Sequence, residues 1–296
     1  MAQTQMALDS LDFDATVALA AKVAPHVDIL EIGTPCIKHN GIELLKTLRA
    51  KFPNNKILVD LKTMDAGFYE AEPFFKAGAD IVTVLGTADI GTIKGVIDVA
   101  NKYGKQAQVD LINVADKKAR TVEVAKLGAH IIGVHTGLDQ QAAGQTPFSD
   151  LALVTGLKTG AKVSVAGGVK AATVKQVVDA GADIVVAGAA IYGAADPAAS
   201  AKEITGLAHG SSASAGGFKW LPWAIAIGAA LLVLSLLTNK APEEAADAAP
   251  AATEQAVEAA PAEVAPEAAP MEEAPAAEAA PAEAAPAEAP PEAAAQ

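Results

Sequence analysis

The residues with the chemistry to act on a small molecule recur at the ends of short apolar runs. Asp60-Leu61-Lys62 closes one such run, and Asp65 follows three residues later. Side chains alternate along a strand with a period of two, so residues 60 and 62 share a face. Lys62 would keep Asp60 ionised, and Asp60 would keep Lys62 protonated. Asp9, Glu31, Asp110 and His135 close four further runs. Glu31 beside Asp60 gives two hard oxygen donors, which suit Mg²⁺, with Mn²⁺ as a substitute, better than Zn²⁺. His135 is the residue placed to move a proton near neutral pH, its ordinary pKa being about 6.5. His26, His39 and His209 read as loop residues and His130 as the start of a strand. Two more runs end in glycine, VAGGV at 165–169 and VAGAA at 186–190. There Gly167, Gly168, Gly188 and Ala189 would offer backbone N–H groups to a phosphate. The single cysteine, Cys36, reads as a bystander rather than a nucleophile.

Eight apolar runs must position these groups: Gln5 to Leu8, Ile29 to Ile32, Ile57 to Leu61, Ile81 to Leu85, Ala107 to Ile112, Ile131 to His135, Lys162 to Ala166 and Ile184 to Ala187. Helical patterns fall between them, among others at Ile42 to Lys51, Ile90 to Lys102, Lys117 to Lys126 and Thr173 to Ala180. Three helices end in a repeated phrase, AGAD at 77–80, LGAH at 127–130 and AGAD at 180–183. Glycine there permits the left-handed cap that stops a helix just before the next strand. Runs that are apolar throughout, rather than alternating, imply a parallel sheet covered on both faces. Eight strand–helix units in about 205 residues predict a (β/α)₈ TIM barrel at the small end of that fold's range. An open doubly wound sheet would need a nucleotide fingerprint after the first strand, and LDSLDFD is not one. In a barrel the strand ends converge on one mouth, with phosphate commonly held after strands 7 and 8. So many charged ends cost stability unless they are used.

The rest of the chain is different in kind. Of 35 acidic residues, 13 fall in 241–296, together with 27 Ala and 10 Pro and no Lys, Arg or aromatic residue. The first 210 residues hold 22 acidic and 20 basic side chains, so the net charge of -13 belongs mostly to the tail. A near-neutral folded part lacks the basic footprint of nucleic-acid binding. The sequence predicts a barrel over 1–210, a flexible linker over 211–219, a transmembrane helix over 220–238 and a disordered acidic tail over 239–296. The 19 residues of WLPWAIAIGAALLVLSLLT carry no charge, enough to cross about 30 Å of hydrocarbon at about 1.5 Å per residue. The first residues, MAQTQMALDSLDFD, lack a basic signal-peptide region. The expectation is a single pass through the cytoplasmic membrane, with the barrel in the cytoplasm and the tail outside. One cysteine fits a reducing compartment.

ALDS at 7–10, EIGTP at 31–35, VDLKTMD at 59–65, VHTGLDQQAAG at 134–144 and VAGGV at 165–169 together carry a resemblance. Residues 1–208 closely resemble the 3-hexulose-6-phosphate synthase family, within the orotidine-5'-monophosphate decarboxylase superfamily. The resemblance implies an aldol condensation of formaldehyde with D-ribulose 5-phosphate to D-arabino-3-hexulose 6-phosphate. Mg²⁺ at Glu31 and Asp60 would then stabilise an enediolate, with His135 as acid/base, Lys62 neutralising charge, and Asp9 and Asp110 orienting hydroxyls. Asp65 would reach a partner subunit's site, which implies a homodimer. A close alternative is 3-keto-L-gulonate-6-phosphate decarboxylase, which usually has Glu where Asp110 stands, Arg soon after the histidine, and Gly-Arg where this chain has Gly188-Ala189. A third reading is a non-catalytic, membrane-anchored scaffold.

Overall fold

The computed structural model describes residues 1–210; the linker, the membrane helix over 220–238 and the tail expected from the sequence lie outside the described residues. Among the described residues no helix is long and apolar enough to cross a membrane.

Eight parallel strands close into a barrel: β1 (Gln3–Leu8), β2 (Ile29–Ile32), β3 (Lys56–Thr63), β4 (Ile81–Leu85), β5 (Gln106–Asp110), β6 (Ile131–His135), β7 (Lys162–Ala166) and β8 (Ile184–Ala187). Pairing of β8 with β1 completes the circle and excludes the open sheet. The helices are α1 (Phe13–Val23), α2 (Thr34–Lys51), α3 (Gly67–Lys76), α4 (Ile90–Lys102), α5 (Lys117–Lys126), α6 (Leu138–Ala142), α7 (Phe148–Gly156), α8 (Ala171–Asp179), α9 (Ala189–Tyr192) and α10 (Pro197–Ala208). A single 3₁₀ turn follows α1 at Ala24–His26. Leu44, Leu45 and Leu48 of α2 and Ile93, Val96 and Ile97 of α4 join the core between sheet and helices.

Two elements depart from the sequence reading. Helix α2 begins at Thr34 and breaks at Gly41, whose φ of 63° is non-helical, so the expected 42–51 segment is its second half. His39 therefore lies in a helix, and His26 in the 3₁₀ turn, rather than in loops. Strand β3 carries a bulge: Val59 pairs with Val82 but Thr63 pairs with Val84, so four residues advance against two. The regular alternation expected to put Asp60 and Lys62 on one face does not hold there.

The lower half of the barrel is built from one device used four times. The residue just before each even strand is Asp28, Asp80, His130 or Asp183. Each side chain accepts from the second N–H of the preceding odd strand: Thr4 N to Asp28 at 2.7 Å, Ile57 N to Asp80 at 2.9 Å, Ala107 N to His130 at 3.2 Å and Val163 N to Asp183 at 2.8 Å. These N–H groups lie at the rim, where the ladder starts and partners run out, and buried amides need them. The next residue is isoleucine each time: Ile29, Ile81, Ile131 and Ile184 are all fully buried inside the barrel. Four side chains from alternate strands form the bottom layer. The repeated AGAD and LGAH phrases are this device read in sequence. Asp80 is further tied to Arg49 at 2.8 Å and to Lys105 at 2.6 Å.

His130 is the odd member, since it can accept at Nδ1 only while neutral. With its hydrogen on Nε2 it donates to Asn101 Oδ1 at 3.1 Å. Burial holds its pKa below the ordinary 6.5. Above pH 6.5 the residue is neutral whether folded or unfolded and its contribution is complete. Below 6.5 the unfolded chain takes the proton first, so stability falls with pH until the folded pKa is passed. His130→Asn, which keeps an acceptor but does not titrate, should lose less stability than the parent between about pH 6.5 and 5, measured by urea unfolding.

Candidate active site

At the C-terminal ends of the strands a cavity of about 790 Å³ opens, and the expected residues meet there. Asp9, Glu31, Asp60, Lys62, Asp110 and His135 line it, together with Gly167, Gly168, Gly188 and Ala189. Asp65 does not: it is exposed and outside the lining. Cys36 is buried behind the wall, 3.7 Å from Thr16 Oγ1, and burial raises its pKa.

Lys62 is the hub. Its Nζ lies 2.5 Å from Asp60 Oδ2 and 3.3 Å from Asp110 Oδ2. His135 Nδ1 in turn lies 2.9 Å from Asp110 Oδ2. The β3 bulge makes this geometry possible. Lys62 takes a left-handed φ of 48°, a conformation that costs a non-glycine residue about 1–2 kcal/mol. Thr83 holds it there, accepting from Lys62 N at 3.0 Å and donating to Asp60 Oδ1 at 2.7 Å. Thr34, at the start of α2, donates to Asp60 Oδ2 at 2.6 Å. Asp110 Oδ1 accepts from Ile112 N at 2.9 Å, which fixes the carboxylate in the wall.

The titrations follow from this wiring. Burial alone would lower the Lys62 pKa, but Asp60 and Asp110 outweigh it and raise it above the ordinary value. Burial would likewise raise Asp110, yet the hydrogen bond from His135 pulls it down. His135 is raised, the bond to Asp110 prevailing over burial. Nδ1–H is committed to that bond, so Nε2 is the nitrogen free to act in the cavity. Glu31 is pushed up to about 8, first by burial and then by the charge of Asp60, against a hydrogen bond from Gln5 Nε2 at 2.7 Å. Asp9 is also raised, by loss of water and by Asp60. Its carboxylate lies flat on Gly33, where a Cβ would overlap Oδ1, so the glycine of EIGTP makes room for the acid.

Two neighbouring acids with hard oxygens, one of which cannot ionise freely beside the other, fit a divalent cation. Glu31 and Asp60 would be the residues to hold one.

Just past β7, Gly167 and Gly168 have φ of 111° and 71°, a region open to glycine at little cost. A Cβ on Gly167 would lie 2.5 Å from Thr136 O. The backbone therefore turns tightly against Thr136, and both glycines line the cavity. Sequence reading missed several lining or supporting groups. Thr34 and Thr83 position Asp60, while Gln5, Gln108, Ser164 and Lys170 line the cavity themselves. The signal for Gln5, Gln108 and Ser164 was their phase: Gln108 and Ser164 stand two residues before the strand ends Asp110 and Ala166, on the inward face. Nothing in its local pattern marked Lys170.

Removing the Asp110 charge should release the imidazole. In an NMR titration His135 should titrate above the ordinary histidine value in the parent and lower in Asp110→Asn, by about one unit or more. An unchanged midpoint would mean that the bond to Asp110 does not set the proton affinity.

The Orotidine 5'-phosphate decarboxylase / HUMPS family model matches residues 2–204. The chain is 87% identical over 208 residues to 3-hexulose-6-phosphate synthase of Methylomonas aminofaciens, covering 70% of this chain and the whole of that protein. It matches the crystal structure of 3-hexulose-6-phosphate synthase from Salmonella typhimurium with a TM-score of 0.69 at 41% identity, over 71% of this chain and 99% of that one. The 3-keto-L-gulonate-6-phosphate decarboxylase of Vibrio cholerae superposes with a TM-score of 0.63 but at 27% identity, over 70% of this chain and 97% of that one. With the charged hub and the glycine cradle in place at the barrel mouth, the chain belongs to the Orotidine 5'-phosphate decarboxylase / HUMPS family, among its 3-hexulose-6-phosphate synthases.

Proposed function

We infer that the protein condenses formaldehyde with D-ribulose 5-phosphate to D-arabino-3-hexulose 6-phosphate. The observation that carries this is the unbroken chain Asp60–Lys62–Asp110–His135 in a cavity that Gly167, Gly168, Gly188 and Ala189 also line. The difficult step is removing a proton from C1, next to the ketone. His135, made more basic by Asp110, takes that proton at Nε2. Lys62 remains an ammonium throughout, because two carboxylates face it, and meets the negative charge that develops on the substrate oxygens. The same protonation argues against a Schiff-base aldolase with Lys62 as nucleophile. When bound at Glu31 and Asp60, Mg²⁺ or Mn²⁺ supplies Lewis-acid stabilisation of that charge. The phosphate end lies at Gly167, Gly168, Gly188 and Ala189, and Lys170 on the same rim supplies the positive charge that Ala189 does not. Thr136 and Gly137 after His135 favour the synthase over the decarboxylase, and so does the higher identity to synthases.

Two wider readings accompany this one. Asp65 stands beside the exposed Met64, Phe68 and Tyr69, an apolar surface suited to a second copy. In a homodimer Asp65 completes the partner's site. The apolar run at 220–238 tethers the catalytic domain to the cytoplasmic membrane, near a source of formaldehyde.

Purified chain with ribulose 5-phosphate, formaldehyde and Mg²⁺ should consume formaldehyde. EDTA and Asp60→Ala should each abolish this, by about 10³-fold or more for the variant. Consumption of 3-keto-L-gulonate 6-phosphate instead would turn the assignment to the decarboxylase. For the shared site, Lys62→Ala and Asp65→Ala should each be inactive alone. After mixing and subunit exchange about a quarter of the sites should be intact, because one site of each heterodimer bears neither lesion. No recovery would place Asp65 in its own subunit's chemistry or in none.

A further inference from the structure

Between the isoleucine layer and the charged mouth, the barrel interior is not packed with hydrocarbon. The middle layer, one residue from each odd strand, is Gln5, Leu58, Gln108 and Ser164. Register places each beside a bottom-layer isoleucine on one neighbour: Gln5 with Ile29, Leu58 with Ile81, Gln108 with Ile131 and Ser164 with Ile184. On the other neighbour they face Val186, Glu31, Thr83 and Gly133, which form the layer above. Barrels ordinarily fill these positions with Val, Ile and Leu. Here three of the four middle positions are polar and all are buried, which costs stability unless the groups are used.

The amide nitrogen of Gln5 is committed to Glu31. Its Oε1, and the Oε1 of Gln108, have no hydrogen-bond partner in the protein. Gly133 is the other unusual member. A Cβ at that position would lie 3.1 Å from Gln108 Nε2 and 3.4 Å from Ser164 Oγ. With φ not in the left-handed region, the backbone does not demand glycine there. The Gln108 amide and the Ser164 hydroxyl close in on the glycine and leave only a shallow notch between them, open to the cavity. Gln5, Gln108, Gly133 and Ser164 all line the cavity, so the notch is its floor. On β6 it lies two residues below His135, about 6–7 Å along the strand, and on β5 Gln108 lies the same distance below Asp110. The glycine cradle, by contrast, stands above the ends of β7 and β8.

We propose that the notch over Gly133 is the subsite for the one-carbon aldehyde, and that Gly133 sets its size. This rests on the synthase reading above. Ser164 Oγ–H and Gln108 Nε2–H hold the carbonyl oxygen, and the carbonyl carbon points up towards C1 of the sugar phosphate. The electron pair left at C1, when His135 takes its proton, forms the bond to the aldehyde carbon. The carbonyl π pair moves to the aldehyde oxygen, and the proton taken from C1 ends there, so no proton or electron is gained or lost. The sugar phosphate binds from the cradle downward and does not need the notch for its own deprotonation.

The test uses the full chain with Mg²⁺ and separates the two substrates. Gly133→Ala places one methyl group in the notch. Its KM for formaldehyde should rise about tenfold or more, the effect of one misplaced methyl group, while KM for ribulose 5-phosphate stays within about twofold. Exchange of the C1 proton with D₂O in the absence of formaldehyde should also stay within about twofold of the parent. Ser164→Ala, which removes a donor without adding bulk, should raise KM for formaldehyde several-fold and likewise spare the exchange; it carries the test if Gly133→Ala does not fold. An unchanged formaldehyde KM in the variants, or a fall in C1 exchange equal to the loss of condensation, would overturn the subsite. A parent chain that exchanges C1 protons and forms no hexulose phosphate would sink the synthase reading itself.

Discussion

One lysine holds several acids together in a place where water is scarce. Asp60 and Asp110 both point at Lys62, and Glu31 and Asp9 stand close enough to feel Asp60. Charges of one sign in a low dielectric repel strongly, and pairing is what lets them stay. The Lys62 position follows from that need. A regular β3 would keep it in the pleat, so the strand takes two extra residues and a left-handed turn, and Thr83 fastens the result from the next strand. The proton affinity of His135 is a downstream effect, since the Asp110 Oδ2 that it contacts is shared with Lys62.

The barrel was legible because its strands are apolar throughout and evenly spaced, and because the phrases before β4, β6 and β8 repeat. All eight strands lie within two residues of where the pattern puts them. The site was legible for a related reason: an ionisable residue at the end of an apolar run has nowhere to go in this fold except the mouth. Alternation failed only at Asp60 to Thr63, where a bulge depends on Thr83, far away in sequence, and no local pattern announces it. Thr34 escaped notice because its role depends on a helix starting earlier than its amphipathic half suggests. Gln5, Gln108 and Ser164 sit in apolar runs whose average hydropathy hides a single polar residue. Only counting inward by twos from the charged ends brings them out.

The two ends of the barrel obey different rules. At the N-terminal end, polar side chains close hydrogen bonds that the ladder leaves open, and each is followed by a buried isoleucine. The four backbone N–H groups at that end are satisfied, and the layer above them is apolar. At the other end polar groups outnumber their partners, and glycine replaces bulk at positions 33, 133 and 167 where something else must fit. Stability is concentrated at one end of the barrel and reactivity at the other, as the fold permits.

The last described helix, α10, ends at the N-terminal end of the barrel. Its C-cap residue His209 reaches Asp28, the acid that opens β2, at 3.1 Å. The chain thus leaves the barrel on the face opposite the cavity. Gly210, the last described residue, therefore stands at the end of the barrel away from the cavity mouth. The closing contact of the described fold thus belongs to the end that holds the barrel together, and the charge balance around Lys62 takes no part in it.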